Sequence, residues 1–161
     1  LLLSFAPLLG DVFGWTRVQG GAHIGDVYPI AEHGRLPISS NAVIFDLHTE
    51  DAATQFPPDY LSLQCLRNAE RVPTLISYVG DFELTPDVKH LLLHSPISVS
   101  TNLLSQAAQR STRKFALYGR VSDPYICFNT NNFEFDALDT PLRVACEKFV
   151  EQARLHAQGV A

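Results

Sequence analysis

Methionine is absent from all 161 residues, tryptophan occurs once and cysteine three times. Cys65, Cys127 and Cys146 are odd in number and far apart. They exclude a disulfide framework and a Cys-x-x-Cys zinc pair, and predict a reducing, cytoplasmic setting. Positive charge is also scarce: 12 Lys and Arg against 17 Asp and Glu leave a net charge of −5. With no Lys/Arg cluster, nucleic acid is not an expected partner. Long apolar runs are missing too. Leu1–Leu9 is broken by Ser4 and Pro7, is too short for a membrane span and lacks the basic flank of a signal peptide, so no membrane partner is expected. The Gly20-Gly21 pair has no Gly-Lys-Ser/Thr ending and is not a phosphate loop. A Leu-Leu-Leu start without methionine, and an end at Gly159-Val-Ala straight after a helical pattern, predict a chain incomplete at both ends.

What remains is ordinary globular material, 46% hydrophobic and 18% charged. Leu1–Leu9 reads as the end of a core helix stopped by Gly10, and the glycine-rich Val12–Gly25 as turns and strand ends. Tyr60–Arg67 alternates, with Leu61, Leu63 and Cys65 against Ser62 and Gln64, and reads as a strand. Val72–Val79 is a further apolar run. Thr85-Pro86-Asp87 is a helix start, with a threonine cap, proline in the first turn and an acid beside them; that helix runs to about His94. Phe115–Val121, Tyr125–Phe128 and Phe133–Phe135 read as strands, with Asn129-Thr-Asn-Asn132 as a turn. Pro141–Ala157 is a helix with Leu142, Ala145, Cys146, Phe149, Val150 and Ala153 as its apolar stripe. Short strands with a few flanking helices predict a mainly β sandwich or jelly roll with helical cover.

The chemistry concentrates at Asn41–Tyr60. Val43, Ile44, Phe45 and Leu47 favour a strand, on which Asp46, His48 and Glu50 share one face. An imidazole and a carboxylate two residues apart can reach one metal ion, as two of the three ligands of a 2-His-1-carboxylate triad. From the tripeptide alone, a solvated strand face is the more frequent outcome. His90 and His94, four apart on one helix face, form a rival metal pair, although the Glu of a His-Glu-x-x-His zinc motif is replaced by Leu91. His156, in a last helical turn, suits a structural role.

His48-Thr-Glu-Asp-Ala, Pro58-Asp-Tyr-Leu-Ser-Leu63, Cys65-Leu-Arg-Asn68 and Val72-Pro-Thr74 occur in the order and spacing of one group of enzymes. The run resembles the clavaminate synthase-like Fe(II)/2-oxoglutarate-dependent dioxygenases, which include free amino-acid β-hydroxylases acting on arginine and asparagine. Similarity extends from Leu8-Leu-Gly-Asp11 to the closing helix. The resemblance implies a double-stranded β-helix (a jelly roll, cupin-like), with residues 1–161 as a single partial dioxygenase domain. It implies Fe(II) held by His48 and Glu50, and 2-oxoglutarate hydrogen-bonded by Thr74. It further implies a small amino-acid-like substrate met by Gln19, Ser39, Ser40, Asn41 and Glu50. O2 would be consumed, 2-oxoglutarate would yield succinate and CO2, and an unactivated C–H would be hydroxylated, in natural-product biosynthesis.

The later segment of that family, with a Gly-Asp turn, Asn-Arg and His-Gly, has no counterpart here, so the second iron-binding His and the 2-oxoglutarate-binding Arg are expected outside the given chain. Where the arginine hydroxylases carry acids, this chain has Thr101-Asn102 and Asn129-Thr-Asn131. Asn102 and Asn129 are therefore candidate substrate contacts for a side chain other than a guanidinium, which prefers carboxylates. Two other readings compete: a non-catalytic jelly-roll small-molecule-binding domain, and a zinc hydrolase using His48 and Glu50. Substrate identity and oligomeric state are not legible.

Overall fold

The computed structural model describes residues 2–16, 19–28, 46–52, 54, 57–100, 111–120, 122–131 and 133–160. The chain divides into two compact units, Leu1–Phe45 with Pro58–Ala69, and Asp46–Pro57 with Glu70–Ala161. No described helix is long and apolar enough to cross a membrane.

The first unit carries little regular structure among its described residues. In place of the expected core helix, a four-residue helix, α1 (Leu2–Phe5), tightens into a 3-10 turn at Ala6–Leu8, where Pro7 removes a donor, and neither buries a residue. A second 3-10 turn covers Gln19–Gly21. Tyr60–Arg67, expected as a strand, is assigned none. Leu61, Leu63 and Leu66 are all exposed. Alternation makes a strand only where one face is covered and a neighbour completes the ladder, and neither condition is met among the described residues.

The second unit holds the core. Its elements are β1 (Thr74–Ile76), α2 (Pro86–His94), β2 (Ile97–Ser100), β3 (Ser111–Lys114), β4 (Leu117–Arg120), β5 (Asp123–Ile126), α3 (Thr140–Leu155) and β6 (Gln158–Val160). The strands form antiparallel pairs, β1 with β6, β2 with β3 and β4 with β5. Single bridges join His48 to Asn129 and Val99 to Phe133. Of the apolar run Val72–Val79 only Thr74–Ile76 is strand, and Phe133–Phe135 is one bridge followed by a 3-10 turn at Phe135–Ala137 rather than a strand. Gly159 lets β6 approach closely: a Cβ there would lie 3.0 Å from Pro73 Cβ.

Both helix starts follow from their caps. Thr85 accepts from the Val88 N–H at 3.4 Å, and Asp139 from the Leu142 N–H at 3.0 Å. Helix α3 then buries Leu142, Ala145, Cys146, Phe149 and Ala153, and Val150 packs at the margin, as the stripe predicts. Leu92 of α2, Ile97 and Val99 of β2, and Leu117 of β4 close the core. Phe128 joins it with ring centroids 4.7 Å from Phe149 and 4.8 Å from Phe133. Phe128 immediately precedes the residue that bridges His48, so the core is continuous with the wall of the site.

Candidate metal centre

Residues Val43–Phe45 of the expected central strand lie outside the described residues. From Asp46 to Glu50 the chain is not a ladder strand. It makes a single β-bridge, from His48 to Asn129. The Thr49 N–H donates to the Phe128 carbonyl at 2.7 Å, and the Phe128 N–H donates to the Thr49 hydroxyl at 3.0 Å. Further along, the Cys127 thiol donates to the Ala52 carbonyl at 3.2 Å.

Asp46 anchors the other end. Its carboxylate takes a two-pronged contact from the Arg154 guanidinium on α3, and also accepts from the Leu47 N–H and the Thr130 hydroxyl. Partial burial pushes this carboxyl up. The Arg154 hydrogen bond, with the Leu47 amide, the Arg154 charge and Thr130, outweighs it and holds Asp46 below its ordinary value. Arg154 and Asp46 are 108 residues apart, and nothing in the sequence links them beyond the place of each on a polar face.

Between these anchors, the His48 ring Nδ1 lies 2.8 Å from the Asp46 carbonyl. A carbonyl can only accept, so Nδ1 carries the proton and Nε2 is the lone-pair nitrogen of the neutral ring. Metal-binding histidines are oriented in this way by a backbone acceptor on the opposite nitrogen. Nε2 lies 4.0 Å from Glu50 Oε2. Two donors at about 2.1 Å from one ion can be no more than about 4.2 Å apart, so the pair meets that limit. A cis arrangement needs about 1 Å of closure, which rotation of the half-exposed Glu50 side chain can supply. Burial pushes the Glu50 carboxyl above its ordinary range, Asp51 adds to this, and His48 opposes it. A bound cation would reverse that penalty. The residues therefore fit two positions of a divalent metal ion. Among the described residues no three His, Cys, Asp or Glu side chains converge on one point.

His48 opens onto a cavity of about 250 Å³, walled mainly by apolar side chains including Leu47, Ile76, Phe82, Phe128 and Phe149. Its polar exceptions are His48, Thr49 and Ser77, whose buried hydroxyl has no hydrogen-bond partner among the described residues. Ser77 was not legible as a site residue, because a lone serine after an apolar run carries no signal. Thr74 lies on β1, paired with Val160 and exposed. Its neighbours Leu75, Ile76 and Ser77 line the cavity, and Thr74 does not. Asn129 is buried, and its side-chain oxygen accepts from the Asn131 N–H at 2.9 Å. Gln19 belongs to the first unit. Ser39, Ser40, Asn41, Thr101 and Asn102 lie outside the described residues. His90 and His94 are on the outer side of α2, away from this cavity, and His156 stacks on Phe82 with centroids 6.2 Å apart.

No family model matches the chain. An L-ornithine/L-arginine 3-hydroxylase of Catenulispora acidiphila is 28% identical over 155 residues, covering 80% of this chain and 45% of that protein. An enduracididine beta-hydroxylase of Streptomyces hygroscopicus is 38% identical over 89 residues, covering 54% of this chain and 26% of that protein. The solved structure of the non-heme iron oxygenase OrfP with Fe, succinate and (3S)-hydroxy-L-Arg matches at a TM-score of 0.86 and 24% identity, over 99% of this chain and 54% of that one. This chain has the fold of a non-heme iron oxygenase. An asparagine oxygenase with Fe(II), 2S,3S-3-hydroxyasparagine and succinate shares that fold at a TM-score of 0.84 and 19% identity, over 98% of this chain and 50% of that one. The resemblance read from His48 to Thr74 is thus borne out, in sequence by amino-acid hydroxylases and in backbone by iron oxygenases. The oxygenase fold is present in part: the chain spans about half the length of the solved relatives, and 45% and 26% of the curated ones.

Proposed function

We propose that this chain is one wall of an Fe(II)/2-oxoglutarate-dependent dioxygenase that hydroxylates an unactivated C–H of a free L-amino acid or related small metabolite. The observation that carries the reading is the His48–Glu50 pair: two donors 4.0 Å apart, with the imidazole oriented through its opposite nitrogen. Similarity to amino-acid hydroxylases and to structures holding Fe with 2-oxoglutarate or succinate supports it. In this reading residues 1–161 are a single partial domain of a jelly roll whose other strands complete the site. The three free cysteines support a cytoplasmic setting.

Bound iron supplies oxidative decarboxylation of 2-oxoglutarate by O2, giving succinate and CO2 as a C–H becomes C–OH. This chain's residues hold and orient. His48 Nε2 and the Glu50 carboxylate are the ligands, and the Asp46 carbonyl keeps the imidazole in the required tautomer. The Asp46–Arg154 contact ties that carbonyl to α3. The apolar cavity wall keeps water from the reacting carbon. Thr74 donates to the 2-oxoglutarate carboxylate, and Gln19, Ser39, Ser40 and Asn41 hold the substrate backbone. Asn129 and Asn102 face a substrate side chain other than a guanidinium. The Asn129 oxygen is committed to its turn, which leaves its NH2 as the donor.

The test is succinate formation by protein carrying this sequence with Fe(II), 2-oxoglutarate and an amino-acid panel, beside His48→Ala. Turnover that depends on one amino acid and disappears in the variant supports the reading. Turnover that survives the substitution removes it, and zinc-dependent hydrolysis without 2-oxoglutarate favours a hydrolase.

A further inference from the structure

His90 and His94 do not line the cavity and are not among the core residues, yet they stand side by side. Both are exposed on α2, one turn apart, and their rings stack with centroids 4.3 Å apart and planes 25° apart. The His94 Nδ1 lies 2.9 Å from the His90 carbonyl. As at His48, the acceptor forces Nδ1 to carry the proton and leaves Nε2 as the lone-pair nitrogen of the neutral ring. Stacked rings hold their lone pairs in near-parallel planes, so chelation of one ion needs both side chains to rotate out of the stack, which two exposed residues one helical turn apart can do. His94 is the last residue of α2, where the helix dipole favours a cation.

We propose that His90 and His94 form a second metal site, distinct from the His48–Glu50 pair, that takes a borderline first-row divalent ion: Cu(II), with Ni(II) and Zn(II) weaker. Imidazole donors favour these ions over Mg(II) and Ca(II), and the general order of affinities places Fe(II) below them. No third His, Cys, Asp or Glu joins the pair among the described residues, so solvent fills the other coordination positions. The site binds a metal that is exchangeable from solution and stands whether or not the iron reading holds.

The test is titration of the chain with CuCl2, in the His48→Ala background and in the unmodified protein. Calorimetry gives stoichiometry, and paramagnetic broadening of backbone amide signals gives location. The expected result is one equivalent in the His48→Ala protein, with broadening centred on Lys89–Ser95. Affinity should fall in His90→Ala and in His94→Ala by at least the about 10-fold that loss of a mere outer-shell partner costs. Both positions are exposed, so unchanged far-ultraviolet circular dichroism is expected in both variants. Unchanged Cu(II) affinity in both variants, or broadening centred on any other histidine, overturns the proposal. If His48→Ala does not fold, the amide map of the unmodified protein decides: broadening at Lys89–Ser95, with or without a second centre at His48–Glu50, supports the proposal, and its absence from Lys89–Ser95 overturns it.

Discussion

Two segments of this chain carry a histidine with a second potential metal ligand close in sequence, and the fold treats them differently. His48 and Glu50 lie on an irregular segment that is pinned from both sides, by Asp46 to Arg154 and by Thr49 to Phe128. His90 and His94 lie on a regular helix, exposed, their rings stacked on each other and His94 bonded to the His90 carbonyl of the same helix. His48 of the first pair lines an apolar cavity, and the second pair is on open surface. Ligand identity is thus the weaker signal. A catalytic metal needs neighbours that exclude water and hold a substrate, and of the two segments the anchored one lies beside an apolar cavity.

The largest effect expected is at the ligands themselves. His48→Ala or Glu50→Ala should abolish Fe(II)-dependent succinate formation, whereas His90→Ala should leave it unchanged, as measured by turnover at saturating Fe(II). Next is the support behind the wall. Phe149 is buried against Phe128 and Phe82, and Phe149→Ala should lower stability by about 3–5 kcal/mol in denaturant unfolding, because it opens a void in a packed core. Thr49→Val should cost about 1–3 kcal/mol, since it removes the hydroxyl partner of the Phe128 amide. It should also weaken metal binding at His48 without altering His90–His94.

Smaller still is Arg154→Ala, expected to cost about 0.2–1 kcal/mol because the guanidinium is largely exposed. Asp46 is held below its ordinary value, so the ionised form is favoured in the folded state. The contribution is present above the unfolded carboxylate range and is lost as pH falls through the lowered folded value. The stability difference between the parent and Arg154→Ala should therefore be constant near neutrality and vanish in acid. Thiol labelling of native protein gives a last, qualitative contrast. Cys65 is exposed and should react, while Cys146, buried and pushed up to about 12 by burial and by Glu147, should not.

Sequence and structure agree where the cause is local. The Thr85 and Asp139 caps and the α3 stripe follow from neighbours within one or two turns. His48 and Glu50 emerge on one side because two-residue spacing does this even in a segment that makes one bridge rather than a ladder. Strands β2 and β3 carry little sequence signal: Ser111–Lys114 is polar, and Ile97–Ser100 is only four residues long. Strand β6 is three residues, one of them glycine, directly after a helix. Tyr60–Arg67 misled in the opposite sense: its alternation is real, but no described neighbour covers it. The Asp46–Arg154 anchor, the hydroxyl of Ser77 and the Thr49–Phe128 bonds are tertiary facts that no spacing rule reaches.

The measurement that bears most directly on the central claim is an anaerobic Fe(II) titration followed by paramagnetic broadening of backbone amides. If His48 and Glu50 hold the iron, broadening centres on Leu47–Glu50 and Phe128–Thr130, and His48→Ala abolishes it. Broadening centred on Lys89–Ser95, or unchanged by His48→Ala, would contradict the account.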